Sequence, residues 1–113
     1  MNFFERENDL SNIEYKLYIN PKKKNRILSQ FYFRMHEGGG KAIYLIGVHD
    51  LGHLYITELS LLLKSINRFI NIIKDHARYK IKIFTNKPYI YSIITLYNSN
   101  IPESNNIIDF NKF

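Results

Sequence analysis

Apolar and polar positions alternate with period two over Glu14-Tyr15-Lys16-Leu17-Tyr18-Ile19, which predicts a half-buried strand. Asn20 and Pro21 then offer a helix cap and a first helical residue that needs no N–H, so a helix is predicted from there to about His36. Ile27, Leu28, Phe31 and Met35 fall on one side of it, and Lys23, Arg26, Gln30 and Arg34 form a stripe on the opposite side. Gly38-Gly39-Gly40 ends it. The nearly unbroken apolar run Ala42 to Val48 reads as a central strand covered on at least one face. His49-Asp50-Leu51-Gly52 reads as a turn, with His53 to Ile56 pairing back as a short hairpin strand. Thr57 is the expected cap of the longest helix, drawn to about His76, or roughly 30 Å at 1.5 Å per residue. Its face toward the sheet would be Leu59, Leu62, Leu63, Ile66, Phe69, Ile70 and Ile73, leaving Lys64, Arg68, Asn71 and Lys74 outside. Tyr79 to Thr85 and Tyr89 to Tyr97 are two more alternating strands, joined through Asn86-Lys87-Pro88.

The order is β-α-β-β-α-β with one extra strand. It predicts an α+β fold: a two-layer ferredoxin-like sheet with two helices on one face. One domain is expected over residues 14–98, with an N-terminal arm at 1–13 and a tail at 99–113. The tail passes Pro102 and several Asn and Ser to reach an apolar cluster, Ile107, Ile108, Phe110 and Phe113. It reads either as a loose end or as an anchoring peptide that orders on a partner.

Composition narrows the classes. Hydrophobic residues make up 45% of the 113, with nine Tyr and eight Phe, too rich for a disordered chain. No apolar run approaches the roughly 20 residues that cross a bilayer, and the start Met1-Asn2-Phe3-Phe4-Glu5 lacks a basic, apolar leader. A cytoplasmic protein, neither secreted nor membrane-bound, is therefore expected. The absence of cysteine excludes disulfides, zinc ribbons, iron–sulfur sites and thiol nucleophiles. Asn, Ile, Lys and Tyr make up nearly half the chain, a bias that weakens any single Asn or Lys as a signal.

Charge is unevenly placed. The net charge is +6, and of the 16 Lys and Arg seven lie between Lys16 and Lys41 and seven between Lys64 and Lys87. Each stretch holds one acid, Glu37 or Asp75, whereas the first fourteen residues carry Glu5, Glu7, Asp9 and Glu14 against Arg6 alone. A single basic run is as readily a solvated surface. Two segregated runs with interleaved aromatics point to a polyanion.

Candidate chemistry is thin. Glu37-Gly38-Gly39-Gly40-Lys41 invites comparison with a phosphate-binding loop, but Met35 stands where that loop needs Gly, Ala42 where it needs Ser or Thr, and a helix precedes it in place of a strand. His49, Asp50 and His53 share one turn with no fourth ligand nearby, so the turn reads as solvated, with Asp50 bonding its own backbone. His36 and His76 fall near helix C-termini, where a cation is favoured whatever the function. Tyr79, Tyr89, Tyr91 and Tyr97 are expected to share one sheet face or its edge, where they serve either packing or base stacking. No enzyme, cofactor, metal or small-molecule substrate is expected.

The stretch Phe33-Arg34-Met35-His36-Glu37-Gly38-Gly39-Gly40-Lys41-Ala42-Ile43-Tyr44-Leu45-Ile46-Gly47-Val48, with Glu14 to Leu17 before it and Asp50 and Gly52 after it, resembles a recurring pattern. It is similar to the region before the GTPase domain in the eukaryotic GTP-binding-protein family related to elongation factor Tu, where Arg-x-x-x-Glu-Gly-x-Gly-x-Ala-x-Tyr-x-x-Gly-Val recurs. The resemblance runs from about Glu14 to Tyr97. It departs at Lys41, where an acid is expected, at His49, and in the lack of a GTPase domain among these residues. A stand-alone domain of this kind resembles the small dormancy factors of microsporidian ribosomes. That resemblance implies a hibernation factor bound to ribosomal RNA and proteins near the exit tRNA site, repressing translation by blocking tRNA or mRNA. A free RNA-binding or regulatory adaptor is the alternative. The RNA contacts expected are Lys22, Lys23, Lys24, Arg26, Arg34, Lys41, Lys64 and Arg68, with a loop contact from Glu37, Gly38, Gly39 and Gly40. The ribosome would be the partner, and no homo-oligomer is expected.

Overall fold

The apolar sides of both helices pack on one mixed sheet. A computed structural model describes residues 3–98 and 107–112. The elements are β1 (Ile13–Lys16), a 3-10 turn (Pro21–Lys23) running into α1 (Lys24–Glu37), β2 (Lys41–Ile46), α2 (Leu59–Ile73), β3 (Arg78–Asn86), β4 (Tyr89–Tyr97) and β5 (Ile107–Lys112). The sheet order is β1-β2-β4-β3-β5. β1 lies parallel to β2, with Ile13 opposite Ile43. β4 runs antiparallel to both β2 and β3, with Ile94 opposite Tyr44 on one side and Ile81 on the other. β2 and β3 therefore point the same way with β4 between them, a split β-α-β unit around α2.

Both helices cover one face. Ile27, Phe31 and Met35 of α1 and Leu62, Ile66, Phe69 and Ile73 of α2 close over Tyr44, Ile46, Ile81, Ile83, Ile94 and Leu96. Full burial of side chains of this size stabilises by about 1.5–3 kcal/mol each, so this layer dominates the fold. The opposite face is smaller. Tyr15, Leu45 and Tyr91 pack there with Ile43, Phe84 and Ile93, and Phe4 of the N-terminal arm lies over them. Phe4 meets Tyr91 edge-on at 5.2 Å.

The two-layer α+β arrangement is as the hydrophobic pattern predicts, while the element order is β-α-β-α-β-β-β. A full strand expected at His53 to Ile56 reduces to one isolated bridge, Val48 with Leu54. The arm holds the turn before it: Phe3 and Phe4 donate to the Gly52 carbonyl and Glu7 to that of Asp50, while the Ile56 carbonyl accepts from Ile90. Glu58, not Thr57, caps α2, without a side-chain bond, and the helix stops at Ile73. Leu59, expected to face the sheet, is exposed, and Ser65 is buried. Tyr79 lies in the helix-side core, not on the face shared by Tyr91. The predicted tail contributes β5, parallel to β3. Residues 99–106, including Pro102, and Phe113 lie outside the described residues.

Candidate nucleic-acid interface

The basic cluster is built from the entry into α1. Asn20, in extended conformation, accepts from the Lys22 N–H through Oδ1 at 3.0 Å, and Pro21 occupies the first position of the turn. Lys22, Lys23, Lys24 and Arg26 follow, all exposed, with no acid in the first turn. Cations at the positive end of a helix oppose its dipole, by about 0.3–1 kcal/mol each. Folding alone does not account for them.

The segment after β1 faces this cluster. Lys16, Tyr18, Lys23, Arg26, Ile27 and Gln30 line a cleft of about 260 Å³. Tyr18 is 57% exposed, whereas the Gln30 Oε1 atom is buried with no hydrogen-bond partner among the described residues. Lys16 Nζ stands 3.9 Å from the Glu14 carboxylate. Arg68 reaches from α2 to the carbonyl of Ile19 at 3.4 Å, so this half-buried cation braces the cleft floor.

Arg34 does not belong to the outer stripe. It is 3% exposed, with Nε donating to Glu14 Oε1 at 3.1 Å and Nη1 to the carbonyls of Asn8, at 2.9 Å, and Ser11. Its Nη2 lies 3.9 Å from Glu7. The expectation that it faces phosphate is corrected: it ties α1 to β1 and the arm. The signal was present, because Arg34 stands seven residues after Ile27 and shares its face.

The remaining cations lie apart. Lys41 is exposed at the start of β2, its Nζ 5.9 Å from the Tyr97 ring centre. The fourteen residues of α1 set it roughly 20 Å from Lys22 to Arg26. Lys64 is exposed on α2. Lys16, Tyr18 and Gln30 enter the site although the sequence pattern marked none of them as a contact.

The glycine loop is explained by its own backbone. Gly38, Gly39 and Gly40 donate to the carbonyls of Arg34, His36 and Met35 and so close the end of α1. A Cβ on Gly38 would run into the Lys41 carbonyl, and Gly40 combines φ of 101° with the Asn98 side chain against it. Glu37 and Gly39 are exposed, leaving them the accessible part of the expected loop contact.

In the other turn, His49 Nδ1 accepts from the Leu51 N–H at 3.1 Å, and the His49 and His53 rings stand 6.1 Å apart beside Tyr55. Asp50 is bound through its carbonyl to the arm. Among the described residues no group of three His, Cys, Asp or Glu is placed to hold a metal ion, and no helix is long and apolar enough to cross a membrane. Tyr91 is packed between Phe4 and Phe84, which leaves Tyr18 as the better placed aromatic for a flat ligand. No protein-family model, no curated protein and no solved structure matches the chain.

Proposed function

We propose that this protein is a cytoplasmic, non-enzymatic RNA-binding factor that attaches to ribosomes near the exit tRNA site and represses translation by blocking a tRNA or mRNA path. The observation behind the RNA half of this reading is the exposed quartet Lys22, Lys23, Lys24 and Arg26, set without an acid where like charge weakens the helix. The ribosomal half rests on the resemblance of residues 33–48 to the family pattern. Ribosomal RNA and ribosomal proteins are the partners in this reading, which needs no membrane, cofactor, small-molecule substrate or second copy. Within the α+β class we place the domain beside the ferredoxin-like proteins, on the support of the split unit around α2 and two helices on one sheet face.

Sedimentation of a native lysate through sucrose, with the protein followed by mass spectrometry, tests the reading. Co-migration with ribosomes, reversed by raised salt, is expected. Recovery in ribosome-free fractions, with equal affinity for naked RNA, would replace it by the free adaptor.

A further inference from the structure

The N-terminal arm lies across the sheet face that the helices leave open. Phe4 meets Tyr91 at 5.2 Å and Tyr15 at 6.3 Å, and Phe3 meets Tyr91 at 5.6 Å. The backbone bonds of Phe3, Phe4 and Glu7 to the turn at Asp50 and Gly52 hold the arm down, and the Tyr15 hydroxyl donates to the Glu5 carbonyl at 2.8 Å. A Cβ at Gly52 would run into the Phe4 carbonyl, so the arm docks this closely only over a glycine.

A carboxyl pins the arm to β1. Glu7 Oε2 accepts from the Tyr15 N–H of that edge strand, and its side chain is buried next to that of Glu14, at 9% and 7% exposure. One buried cation serves both: Arg34 of α1 donates from Nε to Glu14 at 3.1 Å and stands 3.9 Å from Glu7 with Nη2. The partly exposed Lys16 adds a solvent-screened contact to Glu14 Oε2 at 3.9 Å, Asp50 adds negative charge from the turn, and the buried Tyr44 faces the group as a neutral phenol. Two buried carboxyls beside one guanidinium carry a negative charge too many unless one keeps a proton. Glu7 and Glu14 lie close enough to share it.

We infer that the arm is a strap latched by a proton held between Glu7 and Glu14, fastened to the sheet in acid and poised to lift as the proton leaves, which uncovers the Tyr15 and Tyr91 rings. An amide would brace Tyr15 without titrating, so bracing alone gives no reason for a second buried carboxyl. Burial above all, with Glu14 and Asp50 adding to it against the Tyr15 bond, moves loss of that proton from 4.5 to about 7. Between those values each pH unit favours the lifted arm by up to about tenfold, and the gain levels off above them. The inference is independent of RNA and of the ribosome.

Amide exchange on the whole chain, corrected for intrinsic rate, reads the opening constant of the arm at the Phe4 and Glu7 N–H groups and of the core at Ile94. In the parent the arm is expected to open at least tenfold more readily than Ile94, with an opening constant that rises more than tenfold from pH 5 to 7 and is flat beyond 7.5. Glu7→Gln should keep the arm closed and abolish the rise. Glu14→Gln should move the rise to lower pH, because Glu7 then has Arg34 to itself. Melting of each variant controls for folding; should Glu14→Gln unfold, the parent and Glu7→Gln decide. A flat parent, a rise that survives Glu7→Gln, or an arm as protected as Ile94 would each overturn the strap.

Discussion

Arg34 Nε donates to Glu14 Oε1 at 3.1 Å, with Arg34 3% and Glu14 5% exposed, so a buried charge pair fastens the first helix to the edge strand. Such a pair adds little against an apolar replacement of both partners, but losing one member strands the other. Arg34→Met is therefore expected to cost about 3–5 kcal/mol in urea unfolding, since the buried Glu14 carboxylate loses its cation. Adding Glu14→Gln should recover most of the loss. Equal stability of parent and Arg34→Met would show that solvent reaches the pair.

Glu7 makes docking of the arm dependent on pH. Its Oε2 accepts from the Tyr15 N–H, and burial pushes its pKa from 4.5 to about 7. The Tyr15 bond opposes that rise, and the Glu14 and Asp50 carboxylates add to it. The folded form thus holds a proton that the unfolded form releases, so the contribution is complete below about 4.5 and is lost as pH rises through about 7. Amide exchange at Tyr15, corrected for intrinsic rate, should be slower at acid than at alkaline pH. Glu7→Gln should flatten that difference, and a parent already flat would refute the assignment.

Tyr44 is fully buried and its hydroxyl has no hydrogen-bond partner among the described residues. Burial raises its pKa above the usual phenol range, with the Glu14 charge adding to the effect. Because an unsatisfied buried hydroxyl carries a desolvation penalty, Tyr44→Phe is expected to stabilise the protein by about 1 kcal/mol in chemical denaturation. A loss of similar size would reveal an acceptor, such as a buried water, serving the hydroxyl.

Reversing Lys22, Lys23, Lys24 and Arg26 to Glu separates folding from binding. Acids at the start of α1 complement its dipole, so melting should hold or rise, while ribosome pelleting should be abolished at physiological salt. In the parent, the logarithm of single-strand affinity should fall with that of salt by about 0.7 per phosphate contacted. A folded quadruple variant that pellets like the parent would move the interface to Lys41 or Lys64.

Helical spacing placed Ile27, Phe31 and Met35 in the core, and alternation found β3 and β4, because these elements bury one regular face. Arg34 departs from the outward stripe that its charge suggests, because its spacing from Ile27 points it inward. The strand at His53 to Ile56 shrinks to a single bridge between Val48 and Leu54, and the Ile56 carbonyl turns to the Ile90 N–H, a partner 34 residues away that no local pattern announces. β5 was hidden in the same way, since its partner is the edge of β3 and not a neighbour in sequence. In the candidate site, the capped turn with its lysines was legible from Asn20-Pro21. The cleft was not, because only tertiary packing brings Tyr18 and Gln30 to its walls.

The insertion of β4 between β2 and β3 sets an order on synthesis. Ile43 pairs with Thr95, 52 residues later, so β2 lacks its inner neighbour until almost the whole domain has been made. Loop closure over that distance precedes any gain from the pairing, which slows folding relative to a chain of local contacts. A nascent chain paused before Tyr89 leaves Ile43 and Leu45 with an open edge, the kind that recruits foreign strands. Completion of the chain, not its beginning, is what makes this domain safe to release.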